Sequence, residues 1–95
     1  MSNDKKEILI VEDEVQISRF LQLELEHENY ACTVCGDGRD ALGLALDRDF
    51  DLIILDVMLP SLNGIEVLRR LRQTKQTPVI ILTARDQVVD KVTGL

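Results

Sequence analysis

Four short aliphatic segments separated by stretches of helix length predict an α/β fold, a doubly wound parallel sheet with helices on both faces. The segments are Glu7 to Val11, Tyr30 to Val34, Asp51 to Leu55 and Pro78 to Leu82. They are continuously apolar rather than alternating, as strands covered on both faces are. The stretches between them carry apolar residues at the helical period, so the element order is β-α-β-α-β-α-β-α.

Each element follows from its own pattern. The first strand runs out into Glu12, Asp13 and Glu14. In the first crossover Ile17, Phe20, Leu21 and Leu25 fall at i, i+3, i+4 and i+8, one apolar stripe on a helix ending near His27, with Glu24, Glu26 and Glu28 facing water. The second helix, 39–47, is expected to bury Ala41, Leu42, Ala45 and Leu46 and to tolerate Gly43 at a cost of ~1 kcal/mol. The third strand runs out into Asp56; the third helix turns Gly64, Val67, Leu68 and Leu71 inward and leaves Arg69, Arg70 and Arg72 as a solvated face. The fourth strand leads to Thr83 and Ala84, and Asp86 is the expected N-cap of a fourth helix carrying Val88, Val89, Val92 and Leu95. An apolar fourth strand without a neighbour on one side invites pairing between copies, so self-association of the chain is expected.

With 95 residues, 45% hydrophobic and 29% charged, the chain suits one globular domain and is not a disordered segment. The longest aliphatic runs, such as Ile8 to Val11, Leu52 to Leu55 and Val79 to Leu82, are four residues each, against the ~20 that cross a bilayer. No export signal is visible near Met1, so a cytoplasmic protein with no membrane partner is expected. Lys plus Arg number 11 against 17 Asp plus Glu, a net charge of -6, which disfavours gripping DNA directly. Cys32 and Cys35 form a C-x-x-C in a strand-like stretch, where residues three apart point to opposite faces, so they read as two ordinary buried or half-buried thiols.

Ligands of a parallel α/β sheet bind beyond the carboxyl ends of its strands. If the first and third strands are neighbours, Glu12, Asp13 and Asp56 converge there. Three carboxylates at one edge repel one another and call for a cation; their hard oxygens suit Mg²⁺, which commonly combines one or two carboxylates with a phosphate. Such a metal would neutralise an incoming phosphoryl group while one carboxylate attacks it in line, giving an aspartyl phosphate. Taken singly, Asp13 and Asp56 read as strand ends or helix caps. Their joint position with Thr83, a hydroxyl donor at a third strand end, favours the phosphoryl reading.

The segments Ile-Leu-Ile-Val-Glu-Asp-Glu (8–14), Asp-Leu-Ile-Ile-Leu-Asp-Val-Met-Leu-Pro-Ser-Leu-Asn-Gly (51–64) and Val-Ile-Ile-Leu-Thr-Ala-Arg (79–85) resemble the receiver domain of two-component response regulators, over essentially all 95 residues. The Met-Leu-Pro and Leu-Arg-Arg-Leu-Arg texture is similar to the branch that carries a winged-helix DNA-binding domain. The resemblance implies a flavodoxin-like fold of strand order 2-1-3-4 and a sensor histidine kinase as phosphoryl donor. It also implies that Asp56 is the phosphoacceptor, that Asp13, Asp56 and the backbone carbonyl of Met58 bind Mg²⁺, and that Glu12 assists through metal-bound water. Thr83 matches the hydroxyl residue that follows the phosphoryl group; Pro60 and Gly64 match the turn after the acceptor. The family pattern continues with a fifth strand ending in Lys-Pro and a fifth helix, neither of which is in this sequence, so residues 1–95 are expected to be a C-terminally incomplete receiver domain. Lys91, on the fourth helix, does not match the family lysine, and DNA would be reached only through a C-terminal effector domain outside this sequence.

Two other readings compete. Gly36-Asp-Gly38-Arg-Asp-Ala41 satisfies the dinucleotide-binding G-x-G-x-x-A, but it follows the second strand, at the sheet edge in the order 2-1-3-4, and leaves Glu12, Asp13 and Thr83 unexplained. A metal-dependent phosphatase with an aspartate nucleophile would place its acid-base Asp two residues beyond Asp56, where this chain has Met58.

Overall fold

A computed structural model describes residues 5–82. Its elements are β1 (Glu7–Val11), α1 (Val15–His27), β2 (Ala31–Cys35), α2 (Gly38–Asp47), β3 (Leu52–Asp56), α3 (Gly64–Leu71) and β4 (Val79–Leu82). All strand pairs are parallel, and the sheet order is β2-β1-β3-β4, as expected. The expected fourth helix, with Asp86, Lys91 and Leu95, lies outside the described residues, as does Thr83.

Alternating residues of the two central strands feed two cores. Leu9, Val11, Ile53 and Leu55 pack with Ala41 and Ala45 of α2 and Val67 and Leu71 of α3. Ile8, Ile10 and Ile54 point the other way, against Leu21 and Leu25 of α1. This is why β1 is apolar from Ile8 to Val11 and β3 from Leu52 to Leu55: each contributes to both layers. The same alternation parts the two cysteines. Cys32 belongs to the α1 side and Cys35 to the α2 and α3 side, both half-buried, and burial followed by the charge of Glu26 pushes the Cys32 thiol above its ordinary pKa, away from reactivity.

Three expectations of burial fail. Phe20 is 61% exposed. The face of α1 against the sheet is set by Ser18, Leu21 and Leu25, and Phe20 sits one residue, about 100°, round the helix from Leu21 on the far side. Leu46 is exposed at the end of α2, where Ala41 and Ala45 define the buried line, and Arg72 is half-buried rather than free, with its guanidinium donating to the Lys75 carbonyl. Arg69 and Arg70 do face solvent, and both donate to the Glu66 carboxylate, which they hold down to about 2.

Two helix ends are closed in ways that set strand starts. After α1, Tyr30 N–H donates to Leu25 O and Asn29 N–H to Glu26 O, with Asn29 in the left-handed region at φ 74°, the paired bonds of a Schellman motif. Tyr30 is consumed in that cap, so β2 starts one residue later than its apolar run. At the end of α2 the Lys75 ammonium, from the loop before β4, donates to Ala45 O at 3.0 Å, Arg48 O at 2.9 Å and Asp49 Oδ1 at 3.0 Å. A cation on the terminal carbonyls satisfies acceptors the helix leaves open and complements its dipole.

Candidate functional site

β1 and β3 pair in register, Val11 opposite Leu55, so the residues that follow or end them emerge side by side at the carboxyl edge. Glu12 and Asp56 are 4% and 6% exposed, Asp13 is exposed, and carboxylate oxygens of all three lie within 4.8 Å of one another. Glu12, Asp13 and Asp56 are thus brought together as the sequence predicts.

Backbone donors hold two of these acids in place. Asp56 Oδ1 accepts from the N–H of Met58 at 3.2 Å, and Glu12 Oε2 accepts from the N–H of Glu14 at 3.0 Å. The Met58 backbone therefore lies at the cluster while its side chain is 59% exposed. Burial pushes the Glu12 carboxyl above its ordinary value, the negative charges of Asp56 and Asp13 push in the same direction, and the Glu14 N–H pulls against them. A cluster in which one member resists ionisation is short of positive charge, and three hard oxygen donors facing one point suit a small divalent cation such as Mg²⁺.

The loop from β3 to α3 forms the wall of the site. Val57 N–H bonds to Leu82 O at 3.0 Å, Gly64 N–H returns to Val57 O at 2.8 Å, and Asn63 caps α3 by accepting the Glu66 N–H at 2.9 Å. An open groove beside it is lined by Asp13, Val57, Met58, Pro60, Asn63 and Glu66. Pro60 and Gly64 both shape this turn. Two residues that sequence reasoning did not assign to the site, Gly38 and Ser61, join the same loop to α2: Gly38 N–H donates to Pro60 O, and Ser61 Oγ accepts from the Arg39 N–H; the G-x-G spacing was the visible signal at Gly38, and nothing local marked Ser61.

A doubly wound parallel α/β domain with an acid pocket where its central strands end is the class that fold and site define. The chain belongs to the response regulator receiver domain family, whose model matches residues 8–95. That family is the receiver module of two-component signalling. The uncharacterized transcriptional regulatory protein YkoG of Bacillus subtilis is 59% identical over 93 residues, covering 97% of this chain and 41% of YkoG. The response regulator ArlR of Staphylococcus aureus is 56% identical over 89 residues, covering 94% of this chain and 41% of ArlR. This chain therefore spans under half the length of these curated relatives. Among solved structures, the receiver domain of the sensor histidine kinase PA1611 from Pseudomonas aeruginosa, with a magnesium ion coordinated in its active site cleft, aligns with TM-score 0.83 at 31% identity over 93% of this chain and 75% of that one.

Proposed function

We propose that this chain is a phosphoryl-accepting switch in which Asp56 is the acceptor. The single observation that carries the reading is the convergence of Glu12, Asp13 and Asp56 within 4.8 Å at the carboxyl ends of the two central strands. Asp13, Asp56 and the backbone carbonyl of Met58 would hold Mg²⁺, with Glu12 acting through a metal-bound water. When bound, the cation supplies charge neutralisation for the incoming phosphoryl group. A carboxylate oxygen of Asp56 attacks phosphorus in line, the bond from phosphorus to the donor atom breaks, and the donor leaves with that electron pair. The Met58 N–H on Asp56 Oδ1 fixes the carboxylate's orientation for that attack. Thr83, the residue after β4, would donate its hydroxyl to a phosphoryl oxygen. The chain acts on its own Asp and does not turn over external esters, because Met58 stands where a phosphatase of this type needs its proton donor.

In this proposal residues 1–95 are one receiver unit and the donor is a sensor histidine kinase. The output is transcriptional through a DNA-binding effector domain, and the setting is cytoplasmic; no helix among the described residues is long and apolar enough to cross a membrane. The transcriptional and response regulators that align with it support this reading. A dinucleotide-binding role is disfavoured because G-x-G-x-x-A follows the edge strand β2.

The test is intact mass after incubation with acetyl phosphate and Mg²⁺. A gain of ~80 Da, mapped to Asp56 by peptide fragmentation and lost when Mg²⁺ is chelated, is expected. An adduct on any other residue overturns the assignment.

Self-association belongs to the same proposal. Among the described residues β4 pairs only with β3, and its Ile80 is 51% exposed, an apolar edge suited to a second copy. Sedimentation equilibrium is expected to show a concentration-dependent dimer; a monomer at the highest concentration reached would remove this part.

A further inference from the structure

The first turn of α2 lends its backbone donors to the acceptor loop. A helix leaves its first four N–H groups without intrahelical partners, which makes a free N-terminus an anion site. Here Gly38 N–H donates to Pro60 O at 3.1 Å and Arg39 N–H donates to Ser61 Oγ at 3.3 Å. Asp40 N–H goes to the Asp37 carboxylate at 3.0 Å and Ala41 N–H to Asp37 O at 2.9 Å. The Ala41 bond is the first of the helix itself; the Gly38, Arg39 and Asp40 N–H groups, which the helix leaves open, are spent inside the protein, two of them on the β3–α3 loop.

Contact between the two segments is backbone to backbone. A Cβ on Gly38 would stand 1.7 Å from Leu62 O, so only glycine allows α2 to press on the loop there. Ser61 sits in the left-handed region at φ 65°, the strained residue of the loop, and after the Asp40 N–H its hydroxyl helps hold the Asp37 carboxyl below its ordinary value. A non-glycine residue holds such a conformation where surrounding bonds over-determine it. The same loop carries the Met58 N–H that orients Asp56.

We propose that this clasp, Asp37, Gly38 and Arg39 against Pro60, Ser61 and Leu62, holds the 57–63 loop in register with the acid cluster, with Ser61 as a positioning residue for Mg²⁺ binding and for phosphoryl acceptance by Asp56. The inference rests on the acid cluster being the metal and acceptor site. It also explains why a G-x-G-x-x-A segment stands in a chain without a dinucleotide crevice at that place: its second glycine admits the loop's carbonyl rather than a pyrophosphate.

Calorimetric titration with Mg²⁺ alone, at a temperature where every variant is folded by circular dichroism, tests it. Ser61→Gly keeps the left-handed backbone and deletes the hydroxyl; it is expected to weaken Mg²⁺ binding about tenfold, the size typical of losing a partner that orients metal ligands. Ser61→Asn, which tolerates the same backbone and returns a side-chain oxygen and donor, is expected to recover most of that loss. Gly43→Ala, at an open position on the same helix, is expected to bind as wild type does. Wild-type affinity in Ser61→Gly overturns the proposal, as does an undiminished loss in Ser61→Asn. A wild-type chain that takes up no Mg²⁺ overturns the acid-cluster reading itself, whatever Ser61 does, so the two failures are told apart.

Discussion

Asp56→Asn is expected to abolish the phosphoryl adduct and, without metal, to raise the thermal midpoint. The first effect removes the nucleophilic carboxylate. The second follows from the charge: Asp56 is 6% exposed and has the Glu12 and Asp13 carboxylates within 4.8 Å. Asparagine keeps an oxygen for the Met58 N–H and deletes one of the repelling charges. Relief of about 1–2 kcal/mol is expected after allowing for screening at exposed Asp13, or about 5–10 °C in a domain of this size. The asparagine variant should also lose the protection Mg²⁺ gives the wild type, which amounts to about 2.7 kcal/mol at a hundredfold excess over the dissociation constant. Thermal melts with and without Mg²⁺, alongside intact mass, check both effects. A variant that melts below wild type without metal and still gains the adduct would remove Asp56 from the role.

Acid should imitate part of that substitution. The Glu12 carboxyl titrates above its ordinary value of 4.5 in the folded protein, so between the two values the folded state holds the proton more tightly than the unfolded chain does. Stability from this group therefore falls as pH rises through that window, and the metal-free protein carries the deficit at neutral pH. Glu66 runs in the opposite sense. Held at about 2 by Arg69 and Arg70, it contributes stability above its ordinary value of 4.5 that is lost as pH falls toward 2. Its pairs are at the surface and weaken with salt, whereas Glu12 is buried, so high salt isolates the Glu12 effect. Protection by Mg²⁺ needs ionised ligands and should fade as Glu12 takes up its proton.

What could be read in the sequence was whatever depends on periodicity and on strand ends. Continuous apolar runs at Ile8 to Val11 and Leu52 to Leu55 marked the two central strands, and the acids just after or at the end of those runs had to meet once the strands paired. Errors came where one element's boundary is set by another's chemistry. The second aliphatic segment starts at Tyr30 in the sequence; its N–H closes α1, and the strand begins at Ala31. Phe20 matched an i+3 spacing, yet which arc of a helix meets the sheet depends on the docking, and the arc chosen runs through Ser18. The contact of Gly38 with Leu62 joins residues far apart along the chain, with nothing in either segment that names the other. The G-x-G spacing signals that something approaches the backbone closely; whether that is a phosphate or a carbonyl of the same chain is decided only by the fold.

Gly64→Ala is expected to cost at least about 3 kcal/mol and to lower the midpoint by about 12 °C or more. A Cβ there would lie 2.1 Å from Asp56 O and 2.9 Å from both Asp56 C and Val57 Cα. Those are main-chain atoms at the end of β3, and they cannot swing aside as a side-chain tip does. The Gly64 N–H is also bonded to Val57 O at 2.8 Å, so α3 cannot retreat without breaking the bond that closes the loop. Gly43→Ala is the matching control, since nothing lies within 4 Å of its added methyl, and the exposed mid-helix position should gain about 0.5–1 kcal/mol. Equal melting of the two variants would mean that α3 does not approach Asp56 as described. Because the obstructing atom is the carbonyl of Asp56 itself, any folded remnant of Gly64→Ala holds its acceptor out of place, and its protection by Mg²⁺ should fall together with its stability. Leu71→Ala, which opens a cavity in the core on the far end of α3, should cost about 2–5 kcal/mol and leave Mg²⁺ affinity of the folded protein intact.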